Sequence, residues 1–408
     1  MKHPAAPSEL SPRKEWSLLL MLAGIQFTHI ADFMVMMPLG PQFMQLFAIN
    51  PQQFGLLVSS YTFSAALAGL LAALVVDRFD RKRVVLFLYG AFTLATLACG
   101  LAPNYGSLLV ARSLAGAFGG VLSAMVFTLA ADLIPESRRG VATGTIMAAF
   151  SVSTIFGVPM GLMLAAQLHT WRAPFFFLGG LSLLILLTAR FVLPSVTHHV
   201  RAQHLNLREA AAQIVTVLRY PNHQKALLLM TLMMLSGFTV IPFISIYINV
   251  NVGIPFADLP YIYLAGGAAT LFSSRLLGRL ADRYGKRVVY RVVATISMIP
   301  LLVITHLQPV SLPRVIGILV MFFVFVSGRA IPGLAIVTSS ALPQYRGTFM
   351  SLNSSVQQGA SGIASLIGAA IVSRAPTGQL EHYEIVGYVA VGATLLAMWL
   401  VGKVRVQQ

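Results

Sequence analysis

The segment HIADFMVMMP, residues 29–38, sets an imidazole and a carboxylate three residues apart in a run that is otherwise apolar. On a helix that spacing places His29 and Asp32 on neighbouring positions of one face. Asp32 lies sixteen residues past Trp16, so about 24 Å along a helix rising about 1.5 Å per residue. That depth is beyond the midplane of a hydrocarbon layer about 30 Å thick. A carboxylate there costs several kcal/mol unless it meets a partner, water or a proton. Three chemistries answer that requirement. Asp32 takes up and releases a proton as its surroundings alternate between water and dry protein, or it forms a permanent pair with an arginine, or it hydrogen-bonds a cargo with His29 as a second ligand.

The candidate partners are arginines placed just as deep. Arg112 falls near one end of the run 107–133, where it either snorkels to the interface or faces inward. Arg329, in VSGRAIPG, sits fifteen residues past Arg314 and so near the middle of its run. An unpaired guanidinium in lipid is too costly, so Arg329 must face the protein interior, either in a structural pair or against a substrate. Asn353 and Gln357, in SLNSSVQQGASG, are polar at membrane depth and lie on one helical face. They bind substrate or bridge neighbouring helices. Methionines 34, 36, 37, 230, 233 and 234 are soft side chains that suit varied ligands or simply fill lipid-facing surface.

These residues need a membrane-spanning scaffold, and the composition supplies one. Of 408 residues, 57% are hydrophobic and 10% charged, with a mean hydropathy of +0.80; soluble domains carry about a quarter charged residues. Apolar segments of spanning length fall near 16–39, 53–76, 84–102, 107–133, 141–168 and 174–193, and again near 225–249, 258–281, 288–306, 314–342, 348–373 and 385–402. The net charge of +16 is spread as punctuation between these segments, not as a basic run with interleaved aromatics, so nucleic acid is not an expected partner. The single cysteine, Cys99, excludes an internal disulfide framework. The first segment is too long for a signal peptide and reads as a retained helix.

With the N-terminus in the cytoplasm, 19 Lys and Arg fall in connectors and tails on that side and 3 (Arg172, Arg314 and Arg374) on the other. That asymmetry puts both termini inside. Between the two sets of six lies a polar stretch, 194–224, with LNLREAAAQIVTVLRY. Leu207, Ala211, Ile214 and Leu218 share a face there, which reads as an amphipathic helix on the membrane surface. His198, His199 and His204 precede it with a spacing that suits a metal or a solvated loop. No metal cluster or activated nucleophile accompanies Asp32 and His29, and GxxxxGK[ST] does not occur, so neither an enzyme nor an ATP-driven pump is expected.

The two sets of six repeat each other. DRFDRKRV begins at Asp77 and DRYGKRV at Asp282, 205 residues on; PESRRG ends at Gly140 and PQYRG at Gly347, 207 residues on. Two markers holding nearly one offset indicate a duplication. Six crossings is an even number, so the repeats are parallel, the arrangement of transporters that bind substrate between their halves.

GRLADRYGKR, residues 278–287, resembles the loop motif of the major facilitator superfamily, with ALVVDRFDRKR as its first-half counterpart. RSLAGAFGG from Arg112 resembles the family's R-x-x-x-G-x-x-x-G motif. GVPMG, with Gly157, Pro159 and Gly161, resembles the antiporter motif of the drug:proton branch that includes bacterial sugar and nucleoside exporters. Ser153 stands where that motif has a glycine, and Val158 splits its Gly-Pro pair.

The resemblance implies an all-α membrane protein of twelve helices in two parallel six-helix repeats: 1–193, a linker 194–224, and 225–408. It implies proton coupling at Asp32 and Arg112, and gating by Asp77, Arg81, Asp132 and Asp282, with Arg81 paired to Asp132. Ser339 occupies the position where the 207 offset would put a second such acid, so the latch is one-sided. The expected activity is proton-coupled export of a sugar, nucleoside or drug across the inner membrane, with proton symport or facilitated uptake as the alternative. No cofactor is expected, and the chain is expected to work as a monomer in the lipid bilayer. Embedded basic groups (Arg112, Arg329, Arg275) outnumber the one embedded acid, which favours neutral polar or anionic cargo.

Overall fold

The structure is a computed structural model that describes residues 11–72, 75–195 and 207–406; at Pro12, Asp77, Glu136 and residues 207–211 it describes the backbone alone. Among these residues twelve long helices follow the predicted runs. They are α1 (Pro12–Val35), α2 (Pro51–Ala72), α3 (Arg81–Leu101), α4 (Tyr105–Leu133), α5 (Arg139–Gln167) and α6 (Ala173–Val192), then α7 (Pro221–Val252), α8 (Leu259–Tyr284), α9 (Lys286–Thr305), α10 (Leu312–Thr338), α11 (Arg346–Ile371) and α12 (Tyr383–Val401). Their ends obey local chemistry. The Asp80 side chain accepts the Lys82 amide at the start of α3, and Asn104 with Ser107 forms a capping box on α4. Arg172 donates to the carbonyls of Gly100 and Ala102, which the end of α3 leaves unpaired. The described part of the second run reaches Ala72, and Val76–Arg78 forms a 3₁₀ turn.

Ten of the twelve helices are long and apolar enough to cross a membrane. The other two, α8 and α11, are 26 residues each, long enough to span, but carry Arg275, Arg279 and Asp282 or Asn353, Gln357 and Gln358. Both run along the seam between the two sets of six, where protein covers part of their surface. A methyl on Gly267 of α8 would lie 2.9 Å from the Thr154 carbonyl oxygen of α5, and one on Gly55 of α2 would lie 2.3 Å from Ala369 of α11.

The core is forked. At the end of the bundle away from the basic loops, one hydrophobic core draws on all twelve helices and joins the two sets. Phe33 and Phe238 meet across the seam at 6.1 Å, and Phe54 and Phe243 at 6.0 Å. Toward the basic loops the core divides into a cluster built from α1–α6 and two built from the second set. Leu70 of α2 still packs against the second set's cluster there, while the seam's glycines meet fewer neighbours. Gly140 and Gly144 of α5 and Gly278 of α8 face nothing within 4 Å, and the α2–α11 contact relaxes to 3.3 Å at Gly69 and 3.8 Å at Gly359.

The linker helix, Leu207–Arg219, forms as expected. The side chains of Leu207 and Ala211 lie outside the described residues, as do His198, His199 and His204. Leu218 is exposed and Ile214 half-buried. Val217, one position away from the predicted face, enters the core beside Ala226, Phe349 and Val404. The described turns of this helix therefore pack on protein as well as presenting Leu218 outward.

Candidate functional site

The fold brings Asp32 and Arg112 together. Arg112 Nη1 donates to Asp32 Oδ2 at 2.8 Å, and both side chains are fully buried. The snorkelling alternative for Arg112 does not hold, because α4 points this face into the first set of helices. Tyr61 of α2 closes the other side, its ring centroid 4.4 Å from the guanidinium carbon. Thr96 and Cys99 of α3 adjoin the pair. Thr96 lies within reach of the Asp32 carboxylate and Cys99 within reach of the guanidinium, yet neither Asp32 Oδ1 nor Arg112 Nε makes a well-aligned hydrogen bond among the described residues.

The glycines after Arg112 explain how four helices converge there. A methyl on Gly116 would collide with the Tyr61 carbonyl oxygen, and one on Gly120 would lie 2.6 Å from Ala65. Only hydrogens at those positions let the α4 backbone approach α2 closely enough for Arg112 to reach Asp32 beneath Tyr61. Gly119 faces His29 and the Tyr61 hydroxyl in the same way, at 2.6 and 2.8 Å.

The antiporter-like stretch packs α5 onto α1, the helix that carries Asp32. Residues Ser153–Gly157 form a single π-helical turn whose wider spacing passes the chain into Pro159 without a clash, the Val158 amide bonding the Ser153 carbonyl. Methyls on Gly157 and Gly161 would stand 3.0 and 2.7 Å from Ala31 and Val35. Ser153, where the motif has a glycine, donates to the Phe27 carbonyl at 3.0 Å. The substitution replaces close approach with a hydrogen bond to the same helix.

Arg329 is buried inside the second set of helices and turned away from the seam. It donates to Ser236 of α7 at 2.7 Å, Ser297 of α9 at 3.2 Å and Thr394 of α12 at 2.8 Å. Each hydroxyl donates in turn to a carbonyl of its own helix, at Met233, Ala294 and Ala390. The positive charge is thus spread over three helix carbonyls, a structural arrangement that no carboxylate among the described residues joins. Arg275 is exposed on α8. Of the three embedded arginines, one is neutralised by Asp32, one is held by hydroxyls and one is exposed, so the excess of basic groups gives no argument about cargo charge.

Arg81 Nε lies 3.2 Å from Asp132 Oδ2. In the second set the same two positions hold Lys286 and Ser339, 205 and 207 residues on, with Lys286 Nζ donating to Ser339 Oγ at 3.3 Å. The duplicated contact keeps its geometry and loses its second charge. Asp282 is exposed at the end of α8, and the side chain of Asp77 lies outside the described residues. Asn353 is buried with Oδ1 unpartnered among the described residues, and Gln357 is half-buried one turn on. Met36, Met37, Met230 and Met233 are core residues, so they form no exposed ligand surface. Sequence reasoning did not single out Tyr61, the three hydroxyls around Arg329, or Glu15, which pairs with Arg138 at 2.7 Å. An isolated Ser, Thr or Tyr in an apolar run carries no charge signal to mark it.

The family model for the Major Facilitator Superfamily matches residues 22–365. The chain belongs to that superfamily, whose members are transporters that need no cofactor and are not enzymes. It is 22% identical to the MFS-type transporter YceJ of Bacillus subtilis (strain 168), over 90% of this chain and 91% of that one. It is 26% identical to a probable sugar efflux transporter of Helicobacter pylori (strain P12), over 60% of each. The fold is similar to the crystal structures of the nucleoside transporter NupG, with a TM-score of 0.75, 11% identity and coverage of 95% and 99%, and of a D-xylose-proton symporter, with a TM-score of 0.74, 17% identity and coverage of 95% and 98%. This chain is therefore a multi-pass membrane transporter of small solutes with the major facilitator fold.

Proposed function

We propose that this transporter exports a small polar or amphipathic solute, such as a sugar, nucleoside or drug, in exchange for protons taken up at Asp32. The observation that carries the reading is the fully buried Asp32–Arg112 pair, whose second carboxylate oxygen makes no well-aligned hydrogen bond among the described residues. A pair so placed changes its bonding on protonation: the neutral carboxyl releases the guanidinium, and Tyr61 remains beneath it. The similarity to a probable sugar efflux transporter supports export.

In this reading the basic loops and both termini lie in the cytoplasm and the membrane is the inner one, in keeping with the charge asymmetry of the connectors. The chain acts as a monomer of two halves, 1–193 and 225–408, joined by the linker 194–224. The forked core is then the inward-facing form, sealed outside and divided within. Asp77 and Asp282 gate the cytoplasmic side with the Arg81–Asp132 pair. Asn353 and Gln357 offer neutral hydrogen bonds to cargo.

The test begins with thermal stabilisation of the purified protein across a panel of sugars, nucleosides and drugs, which identifies a ligand by its shift. That ligand is then followed in proteoliposomes under a pH gradient of either sense. Exchange predicts accumulation only when protons run opposite to cargo; accumulation with protons running alongside it establishes symport instead. Asp32→Asn should abolish gradient-driven accumulation and leave counterflow measurable. A mutant that still concentrates cargo on a pH difference alone removes Asp32 from coupling.

A further inference from the structure

Buried polar atoms without protein partners are rare in folded proteins, and when several gather they are bridged by ordered water. Among the described residues, twelve such side-chain atoms occur, and six of them belong to five residues on and around α1: Gln26 Oε1, both ring nitrogens of His29, Asp32 Oδ1, Tyr61 Oη and Arg112 Nε, with Thr96 Oγ1 beside them. Gln26, His29 and Asp32 recur every three residues on α1, so they stack along one side of that helix. His29 Nε2 and Tyr61 Oη each lie within 3.0 Å of one point, the place a methyl on Gly119 would occupy. The two atoms are therefore at most about 6 Å apart, a gap that a single water can span with two hydrogen bonds. The column ends at Gln26, whose Nε2 donates to Ser123 of α4 at 2.9 Å, and Ser123 is half-exposed.

The repeat sharpens the contrast. Ser236 and Ser297 stand 207 and 205 residues after His29 and Phe92, whose rings lie 5.9 Å apart. In the second half both hydroxyls are occupied by Arg329. The position equivalent to Arg329 in the first half is Leu122, which offers His29 no hydrogen bond. The same space that holds a fixed cation in one half holds an unpartnered imidazole in the other.

We infer that His29 is a proton relay, passing protons between water at the Gln26–Ser123 end and Asp32 through bridging water beside Tyr61. The inference rests on the reading of Asp32 as the coupling carboxylate. In the inward direction of protonation, a hydronium at the Gln26 end gives a proton to one ring nitrogen and is left as neutral water. The other nitrogen releases its own proton to the water that adjoins Tyr61 and Asp32 Oδ1. The carboxylate becomes a carboxylic acid, the ring returns to neutral as the other tautomer, and no electron changes hands. No fixed hydrogen bond holds either nitrogen, so neither tautomer is locked. The charged and titratable groups facing the ring are Asp32 of α1, Tyr61 of α2 and Arg112 of α4; α3 presents Phe92.

Infrared spectroscopy of the full chain in lipid nanodiscs tests this with protons as the probe. After a rapid acid jump, the carboxylic C=O stretch that Asp32→Asn deletes is followed in time. His29→Phe should slow its appearance roughly a hundredfold, the scale on which a positioned acid–base group acts, while the final amplitude and thermal midpoint stay as in wild type. Should the phenylalanine variant not fold, His29→Gln keeps the polarity, cannot pass a proton through, and carries the same expected slowing. An unchanged rate in a folded His29 variant overturns the relay alone. A band that survives Asp32→Asn overturns the coupling site and the relay with it.

Discussion

Replacing Asp32 by Asn keeps an oxygen facing Arg112 and removes the charge that neutralises it. At the observed 2.8 Å separation, the Coulomb attraction is about 6 kcal/mol with an effective dielectric near 20. The carboxylate no longer has to be held out of water, which returns several kcal/mol. The stranded guanidinium keeps its place over the Tyr61 ring at 4.4 Å, worth about 2 kcal/mol when desolvated. The net expectation for Asp32→Asn is a destabilisation of about 3 kcal/mol, in the range found when one partner of a buried pair is removed. Arg112→Gln should cost a similar amount. The double variant should cost far less than the sum, giving a coupling energy of about 3 kcal/mol. Denaturant midpoints of the four proteins in one detergent measure the cycle. If Asp32→Asn is as stable as wild type and the double variant gains nothing, Asp32 is already neutral in the folded protein, and the ion-pair account of this site is refuted.

Arg329→Ala should lower stability by about 2–5 kcal/mol through the cavity it leaves, while Arg329→Met, which fills the space, should fold and transport; loss of transport by a well-folded methionine variant would place Arg329 against cargo. Ser339→Asp should restore the missing acid opposite Lys286 and raise stability by up to about 1 kcal/mol, a gain that Lys286→Gln should cancel. If the Asp77 carboxylate faces the N-terminal dipole of α11, as the family resemblance implies, Asp77→Asn loses about 2 kcal/mol and should shift cysteine accessibility toward the inward-facing state roughly thirtyfold; an unchanged accessibility pattern leaves Asp77 as a topology charge.

The legible parts of this molecule were those where lipid leaves few choices. Runs of apolar residues about twenty long announced the helices, and the described helices fall within or near those runs. Asp32 and Arg112 stood out because charge at depth demands a partner, and they are each other's. Arg329 stood out for the same reason, but its partners did not: Ser236, Ser297 and Thr394 come from three helices, and hydroxyls that also bond their own helix carry no periodic signal. The linker pattern marked Leu207, Ala211, Ile214 and Leu218 as one apolar face but not Val217, which packs inward because the helix docks on α7 and α11. The glycines of α4 were readable as a motif; that Gly119 clears space for His29 needed coordinates.

The hydroxyl cage around Arg329 has an electrical consequence. Deep in the helices the buried charges are two guanidiniums, Arg112 and Arg329, and one carboxylate, Asp32. With Asp32 ionised the interior holds one uncompensated positive charge; with Asp32 protonated it holds two. Arg329 cannot shed its charge within the physiological range, so every proton taken up by Asp32 appears as an added charge within the membrane field. A charge crossing the whole field of a 100 mV potential gains or loses about 2.3 kcal/mol. In the proposed exchange cycle, reorientation of the loaded and unloaded protein therefore responds differently to voltage even when the cargo is neutral. An interior negative potential draws the protonated form toward the cytoplasm, and the resting potential of the cell acts on the cycle alongside the pH gradient.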